Sequence, residues 1–218
     1  MPIKRSYAEQ GDACAAAHAM ELLGDRWTHP VLRELMFGPK RFSELETSLL
    51  GVTPGVLTSR LRQLQDAGLI EHTTLPGGAR SYAATPWALE LRPVFDQLAR
   101  WAHRSPAWSP TAGGLTPDAA VQSLLTMAPA TSMTPPIELE LRLADHRVEP
   151  RPEPYRYRLR WRDSLTIERG QCDRPDAVVT ADSSTWAGVV HAGATIDTVE
   201  ITGDRNQVTR LLGAFRQR

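Results

Sequence analysis

The chain has 218 residues, enough for two small domains with cores of their own. Its 41% hydrophobic and 23% charged content is ordinary for a globular protein, and no apolar run is long enough to span a membrane. A net charge of zero excludes a polybasic coat but not a local basic patch, and two cysteines, Cys14 and Cys172, are too few for a disulfide scaffold or a zinc site.

The N-terminus, Met1 to Arg5, is not followed by an apolar core, so it does not read as a signal peptide, and a cytoplasmic location is expected. Lys4 and Lys40 are the only lysines among 25 basic residues, a codon bias that suggests a GC-rich bacterial genome. Helices are expected over Asp12–Leu23 and from about Trp27 to Met36, with Pro30 delaying or kinking the second. Phe42–Leu49 reads as a third helix, entered near Arg41 or Ser43.

The next helix carries the most information. Thr53 is a good N-cap, Pro54 suits the first helical position, and Leu57, Leu61 and Leu64 form a buried stripe. Gly55, Ser59 and Arg62 lie on the opposite face, with Thr58 and Gln63 beside it. Small residues let a helix sit deep in a groove, and Arg62 is suited to guanine edges or a phosphate. Gly68 is a helix stop. Leu69–Thr74 is a strand, Pro76-Gly77-Gly78 a turn, and Arg80 is placed for a phosphate or the minor groove. Helix, turn, helix, strand, turn, strand is the order of a helix-turn-helix with a β-wing, which presents a helix to a DNA groove and a hairpin to the flanking backbone. An amphipathic helix in an ordinary core explains the leucine stripe alone, but not the ordered set of cap, stripe, stop and wing.

Several segments resemble the HxlR-type regulators, a bacterial group of winged-helix proteins: Leu22-Leu23-Gly24-Asp25-Arg26-Trp27-Thr28, Leu32-Arg33-Glu34-Leu35, Gly38-Pro39-Lys40-Arg41-Phe42-Ser43-Glu44-Leu45, Leu57 to Leu64, and Ala67-Gly68-Leu69-Ile70. The resemblance covers Cys14 to Trp101. It departs from the family at Ala15, where proline is usual, and at His29-Pro30, where an aliphatic pair is usual. It implies a homodimeric transcription factor, with a cysteine near position 14 that senses oxidants or electrophiles in some members. For Cys14 itself, a helix dipole that lowers a thiol pKa stands against a plain small apolar residue.

Thr85-Pro86 caps a helix expected to reach about Arg104, with Pro93 kinking or breaking it. Its apolar face at Leu91, Val94, Phe95, Leu98 and Trp101 fits either its own subunit's core or a dimer interface with the first helix. Ser105 to Gly114 is rich in Ser, Pro and Gly and reads as a linker, with Trp108 packing it down. The domains expected are therefore 1–104, a linker at 105–114, and 115–218.

The second half reads as helix Pro117–Met127, then strands over Ile137–Leu143, Tyr155–Arg162, Leu165–Arg169 and Ala177–Ala181. A helix capped by Asp182 and containing Trp186 follows, then strand Val199–Thr202 and a last helix ending near Phe215. Ala177-Val178-Val179-Thr180-Ala181-Asp182 and Val199-Glu200-Ile201-Thr202-Gly203-Asp204, each entering a helix, resemble the sterol carrier protein 2-like fold. That resemblance implies a five-stranded sheet covered by helices, with a tunnel for a lipid-like molecule. The fold class expected is α+β: a winged helix-turn-helix domain, then an α/β sandwich-like domain with an apolar pocket.

Leu139, Tyr157, Leu159, Trp161, Trp186, Val190 and Phe215 are the candidate lining of that pocket; packed tightly, the same residues are simply a core. Arg156, Arg158, Arg160 and Arg162 are either a nucleic-acid patch or a solvated face paired with Glu138 and Glu140 on the next strand. No catalytic constellation, metal spacing or cofactor motif stands out. The expected function is a regulator, more a repressor than an activator, that binds an inverted repeat of double-stranded DNA as a homodimer through Thr53, Gly55, Thr58, Ser59, Arg62 and Arg80. A small apolar effector would act through the second domain, and neither a cofactor nor a membrane would be involved. The alternative is a lipid or hydrophobic-metabolite binding protein whose winged helix serves protein interaction.

Overall fold

The computed structural model describes residues 6–107 and 113–216. Packing separates two units, one ending at Leu91 and the other beginning at Arg92.

The first unit contains α1 (Ala15–Leu23), α2 (Thr28–Leu35), α3 (Phe42–Ser48), α4 (Pro54–Asp66), β1 (Ile70–Thr74), β2 (Arg80–Ala84) and α5 (Pro86–Leu89). Helix α1 starts three residues later than Asp12. The Asp12 carboxylate accepts the Cys14 N–H at 2.8 Å from outside the helix, so these residues form an entry turn. Pro30 neither delays nor kinks α2: the helix starts at Thr28, which puts Pro30 in the first turn, where an N–H has no intrahelical partner to lose. At α3 the Glu44 carboxylate accepts the Arg41 N–H at 2.8 Å, closing the first turn. In α4, Thr53 Oγ1 accepts the Val56 N–H at 3.4 Å, and Leu57, Leu61 and Leu64 are buried. Gly68 ends this run with φ +71°, a conformation that favours glycine.

β1 and β2 pair antiparallel from Ile70↔Ala84 to Thr74↔Arg80, and Gly77 and Gly78 make the turn, both at positive φ. Lys40 adds one rung of a third strand: its N–H donates to Tyr82 O at 3.0 Å, and its O accepts the Tyr82 N–H at 2.8 Å. The Lys40 side chain is fully buried, with Nζ 2.5 Å from Glu34 Oε2, also fully buried. Arg33 reaches the other oxygen of Glu34 through Nε at 3.1 Å and a terminal nitrogen at 2.9 Å.

The single helix expected from Thr85 to Arg104 is two helices. Thr85 caps α5 through the Ala88 N–H, and α6 begins afresh at Arg92 and runs to Ala102. Pro93 is the cause, since its ring would collide with the carbonyl four residues back in a continuous helix.

The second unit holds α6, α7 (Pro117–Met127), β3 (Ile137–Ala144), β4 (Tyr155–Trp161), β5 (Leu165–Arg169), β6 (Ala177–Asp182), α8 (Ser183–His191), β7 (Glu200–Gly203) and α9 (Arg205–Arg216). Helix α6 is tied to α7 by polar contacts. Arg100 Nε donates to Thr126 O at 2.7 Å, and Asp96 accepts from Gln122 at 2.6 Å and from the Thr126 hydroxyl at 2.5 Å. Trp108 and residues 109–112 of the expected linker lie outside the described residues. Just beyond them, Leu115 donates its N–H to Ser184 Oγ at 2.9 Å and accepts from Ser183 Oγ at 2.5 Å, which anchors this stretch at the start of α8.

The sheet is mixed and five-stranded, in the order β5-β4-β3-β6-β7, with β3 and β6 parallel and the other neighbours antiparallel. Ile137, Leu139, Leu141, Tyr157, Leu159, Trp161, Ile167 and Val179 are buried on one face, against which the helices pack. The arginines of β4 lie on the other face. Arg160 pairs with Glu138 at 2.9 Å, Arg158 with Glu168 of β5 at 2.6 Å, and Arg156 approaches Glu140 to 4.0 Å. Three of the four ladder arginines thus belong to a charge-paired sheet face, while Arg162, just past the end of β4, is exposed and has no acidic partner among the described residues. Among the described residues, no helix is long and apolar enough to cross a membrane.

The buried pair in the first unit yields an asymmetric prediction. Glu34→Gln removes the carboxylate that the buried Lys40 ammonium contacts and should cost about 3–5 kcal/mol. Lys40→Met leaves Glu34 still held by Arg33 and should cost clearly less. Urea unfolding of both variants measures the difference; equal losses would contradict the assignment.

Candidate nucleic-acid interface

Helix α4 turns its leucine stripe inward, and the residues expected to meet DNA emerge on the other side. Thr53, Gly55, Thr58, Ser59 and Arg62 are all exposed, and so is Arg80 at the start of the second wing strand. In the middle rung of the wing, His72 and Tyr82 lie opposite each other, their rings tilted with centroids 4.6 Å apart.

Charge pairing sorts the cations of this unit. Arg33 and Lys40 converge on Glu34, Arg41 lies 3.5 Å from Glu44, and Arg60 is bound to Asp25. Arg26 sits over the Trp27 ring, 5.4 Å from its centroid. Arg62 and Arg80 have no acidic partner among the described residues. Two guanidinium groups, one on the exposed helix face and one on the wing, are therefore free to meet an anion. The sequence reading selected Arg62 and Arg80 but missed the Glu34–Lys40 and Asp25–Arg60 pairs. No helix or strand period links either pair, six and 35 residues apart in the chain; only the presence of opposite charges hinted at them.

In the second unit, Leu139, Tyr157, Leu159, Trp161 and Trp186 are fully buried, and Val190 and Phe215 nearly so. Trp161 and Phe215 meet edge to face, with centroids 5.8 Å apart, so these two expected lining residues come together. The polar ends of Tyr157 and Trp161 are engaged: the Tyr157 hydroxyl donates to Asp118 at 2.7 Å, and the Trp161 indole to Thr131 O at 2.8 Å. The Trp186 indole N–H has no partner among the described residues. Asp118, which sequence reasoning passed over, also binds Arg169, whose guanidinium lies 4.1 Å from the Tyr155 ring centroid. One cleft of about 630 Å³ opens at an end of the sheet beside Trp161, Arg162 and Arg174, and another of about 400 Å³ between Gly193–Ile196 and α9. Trp161 is the expected lining residue that borders the larger of these two. No group of three His, Cys, Asp or Glu side chains among the described residues is placed to hold a metal ion.

A helix-turn-helix with a β-wing is the class that the first unit defines, and comparison with known proteins narrows it. Residues 22–108 match the HxlR-like helix-turn-helix family. The HTH-type transcriptional regulator YodB of Bacillus subtilis is 33% identical over 86 residues, which are 38% of this chain and 77% of that protein. The uncharacterized HTH-type transcriptional regulator sll1512 of Synechocystis is 36% identical over 88 residues, 39% of this chain and 65% of the relative's length. The solved reduced form of YodB is similar over 44% of this chain and 97% of that one, at 29% identity and a TM-score of 0.40. The chain belongs to the HxlR-like helix-turn-helix family, and the family match ends at residue 108.

The two cysteines differ sharply. Cys14 is exposed at the N-cap of α1. Cys172 is buried on the charged side of the sheet, where its N–H donates to Glu140 at 2.8 Å and its thiol to Glu138 at 3.1 Å. Burial, reinforced by Glu138, pushes the Cys172 thiol up to about 11, so it stays protonated. A thiol reagent such as Ellman's should therefore react quickly with one group in the native protein and with the second only on unfolding. Cys14→Ala should remove the fast phase; a fast phase that persists in this variant would contradict the difference.

Proposed function

We propose that this chain is a transcriptional regulator that binds double-stranded DNA as a homodimer, with α4 in the major groove and the β1–β2 wing against the backbone. The observation that carries this reading is the pair of unpartnered guanidinium groups, Arg62 and Arg80, on the exposed face of α4 and on the wing. Membership of a family whose relatives are named transcriptional regulators supports it. Thr53, Gly55, Thr58 and Ser59 leave the helix surface low enough for close approach to base edges.

The dimer reading rests on apolar surface. Helix α1 contributes no buried residue, and Met20 on it is 51% exposed. Trp87 on α5 and Val94, Leu98 and Trp101 on α6 are exposed as well, Trp101 at 68%. Large apolar side chains left open on several helices favour burial against a second copy. Two subunits would then meet an inverted repeat, with the recognition helices about one DNA turn apart, roughly 34 Å. Occupying an operator in this way fits repression. The exposed Cys14 thiol at the entry to α1 would be the site of any oxidant response.

We also propose that the second unit, a five-stranded mixed sheet with helices packed on one face, has a sterol carrier protein 2-like fold and takes a small apolar effector. Trp186 supports this: its buried N–H, unpartnered among the described residues, offers one hydrogen bond to an acceptor on an otherwise apolar molecule.

Two experiments test these readings. Arg62→Ala should weaken binding to a selected duplex by about 1–3 kcal/mol if it reads a base. Arg80→Ala should weaken binding to all duplexes and make the slope of log K against log salt shallower by about 0.9 for each phosphate that the dimer no longer neutralises. Unchanged affinity in both, or a complex containing one chain by light scattering, would remove the proposed geometry. For the effector, the neutral probe N-phenyl-1-naphthylamine and a ketone analogue of it should be titrated against the wild type and Trp186→Phe. The variant should lose about three- to tenfold for the acceptor-bearing probe and little for the other. Equal affinity of both proteins for both probes would rule this site out.

A further inference from the structure

Among the described residues, a single carboxylate ties α4 to the turn that follows α1. Asp25 lies between α1 and α2. One of its oxygens, Oδ1, accepts the Trp27 N–H at 3.0 Å, and its carbonyl accepts the Thr28 N–H at 3.1 Å, so Asp25 builds the turn that starts α2. Its other oxygen, Oδ2, binds a terminal nitrogen of Arg60, in the middle of α4. The Arg60 side chain is only 18% exposed, and its Nε is buried without a hydrogen-bond partner. Asp25 is therefore the ionic anchor of this guanidinium among the described residues, and losing it would strand a mostly buried charge.

The position of Arg60 matters because of what flanks it. Leu57, Leu61 and Leu64 fix the depth of α4 against the core, but a stripe of apolar contacts is non-directional and leaves rotation and tilt of the helix loosely set. Ser59 and Arg62 sit one residue before and two residues after Arg60, on the exposed face. An ion pair from the side of the helix supplies the direction that the leucines lack. We infer that Asp25 and Arg60 are positioning residues: the pair sets the orientation in which α4 presents Ser59 and Arg62, and it makes that orientation depend on the turn directly after α1. Arg60 then acts on DNA recognition without touching DNA. The consequence rests on the DNA-binding reading; the positioning itself does not.

Asp25→Asn isolates the Arg60 arm, because the amide keeps an oxygen for the Trp27 N–H but no longer offers an anion. Arg60→Met keeps much of the side-chain volume without the charge, and Arg60→Lys keeps the charge with a single point of contact. The DNA probe is a 30-bp duplex selected from a random-sequence pool by the wild-type full-length chain, with unselected duplex as the control. The second readout is amide hydrogen exchange over residues 54–66 in the absence of DNA.

Asp25→Asn and Arg60→Met should each weaken binding to the selected duplex by about tenfold, while affinity for unselected duplex changes little; the double variant should be no worse than the weaker single one. Arg60→Lys should fall between wild type and Arg60→Met, and exchange over residues 54–66 should quicken in Asp25→Asn. If Arg60→Met weakens binding while Asp25→Asn leaves it unchanged or tightens it, Arg60 is a DNA contact and the inference is overturned. Unchanged exchange over residues 54–66 in Asp25→Asn overturns it regardless of DNA. If the wild type selects no duplex, the DNA reading fails, and faster exchange in that variant would still uphold the positioning role.

Discussion

The buried contact between Glu34 and Lys40 is the constraint on which the first unit turns. Lys40 does two things at once. Its backbone exchanges a pair of hydrogen bonds with Tyr82 and so fastens the wing, while its ammonium lies buried against a carboxylate of α2. The next residue, Arg41, is the N-cap of α3. One residue therefore fixes the spacing of α2, the wing and the first helix of the helix-turn-helix. An apolar pair of equal volume could supply as much stability, since removing two charges from water costs about as much as their attraction returns. An apolar pair would not specify which strand residue faces which helix residue. A shift of one residue in β2 would carry Tyr82 away from Lys40 and turn the strand over, breaking the two backbone hydrogen bonds that they exchange.

The same pairing of charge explains how a chain of zero net charge can keep a locally positive surface. Most arginines of the first unit's core and its rim are paired with carboxylates or stacked on an aromatic ring. What remains uncompensated is local, on α4 and the wing, where a groove-binding protein needs it. Total charge says little here; the pairing pattern says where a positive field survives. In the second unit, the arginine ladder of β4 is answered across the sheet by Glu138, Glu140 and Glu168. Arg160 holds the Glu138 carboxyl below its usual range, and Arg158 does the same for Glu168. Carboxyls lowered in this way contribute stability above their unfolded pKa and lose it as the pH falls through the folded value, so this face is at its most stable near neutrality.

Local grammar was legible in the sequence where a single element carries its own signal. The Thr53 cap, the Pro54 start, the leucine stripe and the Gly68 stop mark α4 almost residue by residue, and strict alternation marks β3, β4 and β5. The interruption at Pro93 was legible too, although which of kink or break would result was not. The start of α1 comes later than the sequence suggests because Asp12 accepts the Cys14 N–H from a turn before the helix and so looks like a first-turn residue. The polar contacts that hold elements together were invisible. Asp25 and Arg60, Asp118 and Tyr157, and Glu34 and Lys40 have no period in common, and every partner except Tyr157 has an ordinary solvent-exposed reading in isolation. Which of seven apolar candidates would keep an unpartnered polar atom was equally hidden, because Tyr157, Trp161 and Trp186 differ only in what lies opposite their polar ends.

The two units divide the chemistry in a way that bears on regulation. The second unit pairs Arg156, Arg158 and Arg160 of β4 with carboxylates on one face of its sheet and buries the other, apolar face. In the first unit the surplus is two guanidinium groups, and helix α1 has no buried residue. A regulator assembled from these parts would respond through the position of α1 and α4 rather than through a change of charge at the DNA surface. Coupling of that kind is reciprocal, so DNA that favours one arrangement of α4 must favour the matching arrangement of the helices that set it. The Asp25 carboxylate, shared between the start of α2 and Arg60, is a direct polar path in the first unit along which that exchange can run.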